Sequence, residues 1–306
     1  MSSRYGDCRE RTESKPDTLS KRSMRKILTV IAGISFGEAP RWHDGALYLS
    51  DMHADRVLRV NPAGTFEVVA QLQNPVSGLG WLPDGRMLVV CMHERKVLRQ
   101  ESNGAMVEHA DISSIATWHA NDMVVAADGT AYVGNFGFQI TPVRAQPCTA
   151  AIACITPAGG VSIAADGLWF PNGMVISPDG RTMVVAESAA RRLSAFDITQ
   201  EGALANPRVW GQMGPNELPD GICLDAEGAI WVASPPTREV LRMRAGGEVL
   251  ERIEFEQEAI ACMLGGPDRS TLFILTAASR DPEWCRRNHT ARVLAVQVDV
   301  PAAGRP

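Results

Sequence analysis

Ile176-Ser177-Pro178-Asp179-Gly180-Arg181-Thr182-Met183-Val184-Val185-Ala186 joins a tight turn to a strand. Gly180 supplies the left-handed conformation that a short hairpin connection asks for, and the apolar run after it has strand composition. The phrase recurs. His43-Asp44-Gly45, Pro83-Asp84-Gly85, Ala127-Asp128-Gly129, Ala226-Glu227-Gly228 and Pro267-Asp268-Arg269 are each followed by such a run: Ala46 to Leu49, Arg86 to Val90, Thr130 to Gly134, Ala229 to Ala233 and Thr271 to Thr276. The third residue of the phrase falls at 45, 85, 129, 180, 228 and 269, so the steps are 40, 44, 51, 48 and 41 residues. That spacing fits one propeller blade of four short strands per repeat.

The rest of each repeat agrees. Arg56 to Val60, Lys96 to Arg99, Arg192 to Phe196 and Glu239 to Met243 read as third strands; Glu67 to Ala70, Val161 to Ala164 and Glu248 to Glu251 read as fourth strands. The last repeat ends with Arg292 to Val296 as its third strand and has no fourth, whereas Ile27 to Ala32 is a fourth-strand pattern with no repeat of its own. The two ends therefore complete one blade and leave no open radial edge. We expect an all-β fold, a six-bladed β-propeller with four-stranded blades, as a single domain over residues 24–300. A disordered extension over 1–23, rich in Arg, Ser, Glu and Lys, would precede it, and a short tail over 301–306 would follow. Met24-Arg25-Lys26 and the apolar stretch to Phe36 also have the look of a secretory signal, but the polar leader before them is wrong for one.

A net charge of −5 and a pI near 5.7 offer no basic face for nucleic acid. No run approaches the roughly 20 apolar residues of a membrane span. The seven cysteines (Cys8, Cys91, Cys148, Cys154, Cys223, Cys262, Cys285) include no CxxC pair and read as buried small hydrophobes of a cytoplasmic, reducing compartment. Composition does not fix the oligomeric state.

Chemistry emerges when the repeats are placed in phase. Eight residues before each turn position, or seven in the first repeat, stand Glu38, Ser77, Asn121, Asn172, Asp220 and Ala261. This is the start of the innermost strand, so two carboxylates and two amides should converge at one end of the central channel. Carboxylates crowded there repel and lose hydration unless a cation sits among them. All-oxygen ligands suit a hard divalent ion: Ca²⁺ first, with Mg²⁺, Mn²⁺ or Zn²⁺ as alternatives. Any one of the four, taken alone, is equally an ordinary turn or loop residue.

Gly37-Glu38-Ala39-Pro40-Arg41-Trp42, His119-Ala120-Asn121-Asp122, Phe170-Pro171-Asn172-Gly173-Met174 with Ile176 to Thr182, and Pro219-Asp220-Gly221-Ile222 resemble the signature stretches of the gluconolactonase, regucalcin and senescence marker protein family. The similarity extends over about residues 30–298. It implies a six-bladed propeller with a divalent metal in the channel, Glu38 and Asn172 as metal ligands, Asp220 as a metal ligand that is also catalytic, and Asn121 as a residue contacting substrate and, in some members, the metal. Two positions depart from the family pattern. His119 stands where sugar-lactonase members carry an arginine that grasps substrate hydroxyls, and Ala39 stands where the first signature usually has glycine. The first departure weakens gluconolactone itself as the substrate, because an imidazole lacks the forked donors of a guanidinium.

The expected function is a divalent-metal-dependent hydrolase that opens the lactone of a sugar acid or similar small molecule. The metal would polarise the carbonyl, with Asp220 as general base or nucleophile and His119 orienting substrate, shuttling a proton or merely packing. Two alternatives remain: a phosphotriesterase-like hydrolase resembling diisopropylfluorophosphatase, and a non-catalytic binding propeller. The long connections Phe136 to Ala151 and Ala277 to Thr290 are expected to wall the pocket. Asp51, Asn135, Glu187 and Ser234, at the ends of second strands, would support the site from behind, and Trp42 and Trp118 would either line it or fill blade interfaces.

Overall fold

Gly45, Gly85, Gly129, Gly180 and Gly228 all adopt φ between +71° and +91°, and Arg269 takes the same left-handed turn at φ +58° in the sixth phrase. Each turn joins the first two strands of a four-stranded antiparallel sheet, and six such sheets form a ring, a β-propeller. The computed structural model describes residues 21–22, 25–61, 64–139 and 146–305. Most of the extension expected to be disordered, Cys8 and the middle of the Phe136 to Ala151 connection lie outside these residues.

Blade 1 consists of Gly37–His43, Ala46–Asp51, Arg56–Val60 and Phe66–Gln71, ordered from the axis outward. Blades 2 to 5 repeat the pattern, their innermost strands being Val76–Trp81, Ala120–Val125, Pro171–Ile176 and Ile222–Leu224. Blade 6 has Glu258–Gly265, Thr271–Ala277 and Ala291–Gln297, and its outer strand is Ile27–Ile34, paired antiparallel with Ile27 opposite Val296 and Ile34 opposite Ala291. The orphan strand thus completes the last blade. Lys21 and Arg22 add a short parallel pairing to the outer strand of blade 5.

Six apolar clusters hold the ring, one at each junction between neighbouring blades. The junction that closes the circle packs Leu47, Leu49 and Leu58 of blade 1 against Phe273, Leu275 and Val293 of blade 6, with Ile31 and Ile34 of the N-terminal strand in the same cluster. Pairing and packing both make the seam, so the N-terminal strand is part of the core. The C-terminal tail also docks: Ala302 bridges Asp225, and Arg305 exchanges two backbone hydrogen bonds with Ile176. It runs over the turn face, opposite the predicted site.

Two expectations need amendment. The connection from Ala277 to Thr290 carries a helix, Pro282–Asn288, capped by the Asp281 carboxylate, which accepts from Trp284 N at 2.7 Å. Five of the six described cysteines are buried, but Cys148 is exposed, because it falls in the long connection and outside any blade.

Candidate active site

The site begins with a repeated irregularity. In blades 1 to 4 the inner strand carries one residue more than its partner: Glu38 pairs Ser50 but Arg41 pairs Tyr48, and the same slip occurs from Val76 to Leu79, Ala120 to Met123 and Pro171 to Met174. Blade 6 slips similarly between Ala259 and Ala261. A bulge bends the strand and re-aims its side chains. It is placed so that Ser77, Asn121 and Asn172 lie within the slipped stretch and Glu38 directly borders it.

Close approach of the strands explains the residue that follows. A Cβ on Gly78 would come within 2.6 Å of Met123, one on Gly173 within 2.6 Å of Ile222 N, and one on Gly221 within 2.4 Å of the Ala261 Cβ. Only glycine lets the inner strands converge that tightly. In blade 1 the equivalent residue is Ala39, held at φ +46°.

The polar residues meet as expected for adjacent blades. Ser77 Oγ donates to Asn121 Oδ1 at 3.3 Å, Asn121 Nδ2 donates to Asn172 Oδ1 at 3.1 Å, and Asn172 Nδ2 donates to Asp220 Oδ1 and to Ser188 Oγ. This belt runs across blades 2, 3, 4 and 5. Glu38 comes from blade 1, and its carboxyl lies within the electrostatic reach of Asp220 and Asp122. Glu38 and Asp220 are both half-buried. Burial pushes the Asp220 carboxyl up to about 7; the Arg280 guanidinium pulls the other way, and Asp122 adds repulsion. Glu38 is held well above the usual carboxylate range, first by burial and then by Asp220 and Asp122. Among the described residues no Arg or Lys forms an ion pair with either carboxylate.

The groups that end the second strands turn out to grip backbone. Asp51 accepts from Ser35 N at 2.8 Å and Phe36 N at 3.1 Å, just upstream of Glu38. Glu187 accepts from Trp169 N at 2.8 Å, upstream of Asn172, and Ser234 Oγ accepts from Leu218 N at 3.2 Å, upstream of Asp220. Asn135 accepts from Gly137 N and donates to Ala151 O, tying the ends of the long connection to blade 3. Each thereby fixes a segment at the mouth without facing into it.

His119 and Trp42 part company. His119 sits beside the belt, its ring 4.2 Å from His93, 5.0 Å from Trp118 and 6.0 Å from Phe136 between centroids. Burial, then the charges of His93 and Arg95, push its imidazole down to about 4, so it is neutral at physiological pH. Trp42 lies four residues along the strand from Glu38, at the turn end, where it stacks on Phe273 at 5.7 Å and covers Gly265. It fills the junction of blades 1 and 6. Near it a cleft of about 400 Å³, lined by Arg41, His43, Trp81 and Arg305 among others, opens on the turn face, away from the belt.

Sequence reasoning missed Asp122, Arg41, His93 and Arg280. Arg41 reaches from blade 1 to Asp122 Oδ1 at 2.8 Å and also donates to the carbonyls of Pro40, Leu79 and Met123. Strict alternation would turn Asp122 away from the face that Asn121 occupies; the bulge between Ala120 and Met123 removes that rule. Arg280 comes from the long connection and hydrogen-bonds Glu258 at 2.6 Å, while its charge acts on Asp220. Only the length of that connection pointed to it.

The donor set passes a test of fit for a hard divalent ion. Glu38, Asn121, Asn172 and Asp220 are all oxygen-bearing, two of them are half-buried acids with no ion-pair partner among the described residues, and rotation of either amide exchanges nitrogen for oxygen at the same point. Among the described residues no group of three or more His, Cys, Asp and Glu side chains is gathered for a metal, so any such ion would depend on the amide oxygens.

The chain is a six-bladed β-propeller with the Asn121, Asn172 and Asp220 side chains linked near its axis. Residues 36–278 match the SMP-30/gluconolactonase/LRE-like region, and the chain belongs to that family. It is 23% identical to regucalcin of Xenopus laevis over 82% of this chain and 86% of that one, and 25% identical to pentonolactonase XacC of Haloferax volcanii over 88% and 92%. The crystal structure of a calcium-binding protein, regucalcin, from Agrobacterium tumefaciens superposes with a TM-score of 0.74 at 21% identity, covering 89% of this chain and 93% of that one. Among the described residues no helix is long and apolar enough to cross a membrane.

Proposed function

We propose that the protein is a divalent-metal-dependent lactonase acting on a small molecule, with Glu38, Asn121, Asn172 and Asp220 holding the ion, Ca²⁺ in the first instance. Family membership supports the lactonase class. The observation that carries the reading is the belt itself: Asp220 joined through Asn172 to Asn121, with the second acid, Glu38, in electrostatic reach and neither acid ion-paired among the described residues, at the one phase of the repeat where every neighbouring strand is bulged or closely packed.

A bound divalent ion supplies Lewis-acid polarisation of the lactone carbonyl. Asp220 accepts the proton of the attacking water as the water oxygen bonds to the carbonyl carbon. The ring C–O bond then breaks, and the same proton goes to the departing ring oxygen, leaving a hydroxy acid. Asn172 fixes the Asp220 carboxyl through its amide, and Ser188 holds Asn172 while donating to Pro219 O at 2.6 Å. Neutral His119 closes the side of the site next to Asn121 and donates no charge to it.

The test is lactone opening followed with a pH indicator, in Ca²⁺ and in EDTA, for the native chain and for Asp220→Asn. Loss of turnover in EDTA, restored by Ca²⁺, is expected; turnover that survives both EDTA and the substitution overturns the assignment.

A further inference from the structure

The two sides of the mouth differ in chemistry. On the side of blade 6 stand Arg280 and Glu258, an ion pair half open to solvent. On the side of blades 2, 3 and 4 the rings of His93, Trp118, His119, Phe136, Phe138 and Phe170 form one continuous series. Centroids of successive neighbours lie between 4.2 and 6.3 Å apart, with Phe136 to Phe170 at 4.7 Å. All but the exposed His93 are half-buried, so each has one side packed and another free. His119 and Phe170 each precede a belt residue, Asn121 or Asn172, by two positions, which sets the shelf directly against the site. Phe136 also packs against the cluster that includes Met52 and Met92 from blades 1 and 2.

A polyhydroxylated lactone laid on the phenyl faces of Phe136, Phe138 and Phe170 would give up hydration of its hydroxyls without recovering hydrogen bonds, a cost that an apolar group does not carry. Flat rings gain most from such a surface, through area and through offset or edge contacts. We propose that the substrate is a lactone bearing an apolar, flat substituent, such as an aryl-fused ring, seated on the aromatic shelf with its carbonyl at the belt; Phe136 is a residue that sets this specificity. The inference rests on the lactonase reading and deepens it. The ionic side of the mouth faces the opening carboxyl group and the water that enters.

The experiment compares kcat/KM for dihydrocoumarin and glucono-1,5-lactone, each corrected for spontaneous hydrolysis, in the Ca²⁺-loaded full chain. Dihydrocoumarin should be preferred by about ten-fold or more, and Phe136→Ala should lower that ratio about ten-fold, chiefly through KM, while Phe136→Tyr, which keeps the ring, restores most of it. As a measurement that needs no variant, the aryl lactam 3,4-dihydroquinolin-2-one should inhibit with a Ki at least about ten-fold below that of piperidin-2-one. Preference for the sugar lactone, a ratio unmoved in Phe136→Ala, or equal inhibition by the two lactams overturns the substrate class alone. A chain that opens neither lactone overturns the lactonase reading and the class with it.

Discussion

Two acidic groupings share the channel, and they are resolved in opposite ways. Asp122 has Arg41, a buried guanidinium that also satisfies three backbone carbonyls. Glu38 lies within electrostatic reach of Asp220, Asp220 accepts from the Asn172 amide, and both acids hold their protons more tightly than free carboxylates do. The protein can supply a cation for a buried acid and does so next door. Among the described residues no Arg or Lys forms an ion pair with Glu38 or Asp220, which supports the proposed ion there, whereas Arg41 and Asp122 tie blades 1, 2 and 3 together.

The sharpest way to break this contrast is to remove the internal cation. Arg41→Met strands Asp122 and leaves three carbonyls without a donor, which should cost about 3–5 kcal/mol of stability, measured by urea denaturation. Adding Asp122→Leu should recover part of the loss, since a buried charge left alone is worse than no charge. If Arg41→Met cost under about 1 kcal/mol, the pair would be no structural tie.

At the other grouping the large effect should fall on turnover. Asp220→Asn keeps an oxygen for a hard cation but removes the proton acceptor, so lactone opening should drop by about 10² or more while Ca²⁺ binding, followed by calorimetry at millimolar ion, weakens yet persists. Near-normal turnover with Ca²⁺ bound would assign water activation to the ion alone.

A third prediction concerns pH. An acid whose folded pKa lies above its unfolded value binds more protons folded than unfolded, so stability falls as pH rises through the interval between the two values. For Asp220 that interval runs from about 3.8 to about 7, and the raised pKa of Glu38 acts in the same sense. The metal-free protein should therefore lose stability between pH 4 and 7 on account of these groups. Ca²⁺ competes with the protons, so the difference in melting temperature between Ca²⁺ and EDTA should be small at pH 5 and grow toward pH 8. At one hundred times its Kd the ion adds about 2.7 kcal/mol. A difference independent of pH would separate ion binding from these carboxyls.

Much of the ring could be read from local signals. Turn glycines, apolar runs and the unmatched N-terminal strand each depend on neighbours in sequence, and Ile27–Ile34 took its place in blade 6 for that reason. The phase of the repeat brought Asn121, Asn172 and Asp220 together because equivalent positions on a ring must converge. What escaped were features set between blades. The bulges that turn Asp122 inward exist only in the pairing register, and the arm of Arg41 spans from blade 1 to blade 3. Trp42 looked adjacent to Glu38 in sequence but is carried to the other end of the strand by its rise. The short helix Pro282–Asn288 was hidden in a connection valued only for its length.

The smallest expected effect tests the bulge in blade 1. Ala39 sits at φ +46°, where an L-residue carries a strain of about 1–2 kcal/mol that glycine avoids. Ala39→Gly would relieve that strain. It would also free the unfolded chain, at a cost of roughly 0.5–1 kcal/mol, and delete a methyl that is 1% exposed within the junction of blades 1 and 2, worth about 0.8 kcal/mol. The terms nearly cancel, so chemical denaturation should place the variant within about 1 kcal/mol of the native chain, with Ca²⁺ affinity little changed. A loss of 2 kcal/mol or more would mean that the methyl, wedged between the blades, helps aim Glu38; a gain of that size would mean that strain at Ala39 is stored against the site. Near-neutrality would instead place the direction of Glu38 in the slipped register and in the grip of Asp51 on the backbone before it, the features that blade 1 shares with the polar blades and that the Arg41–Asp122 tie does not provide.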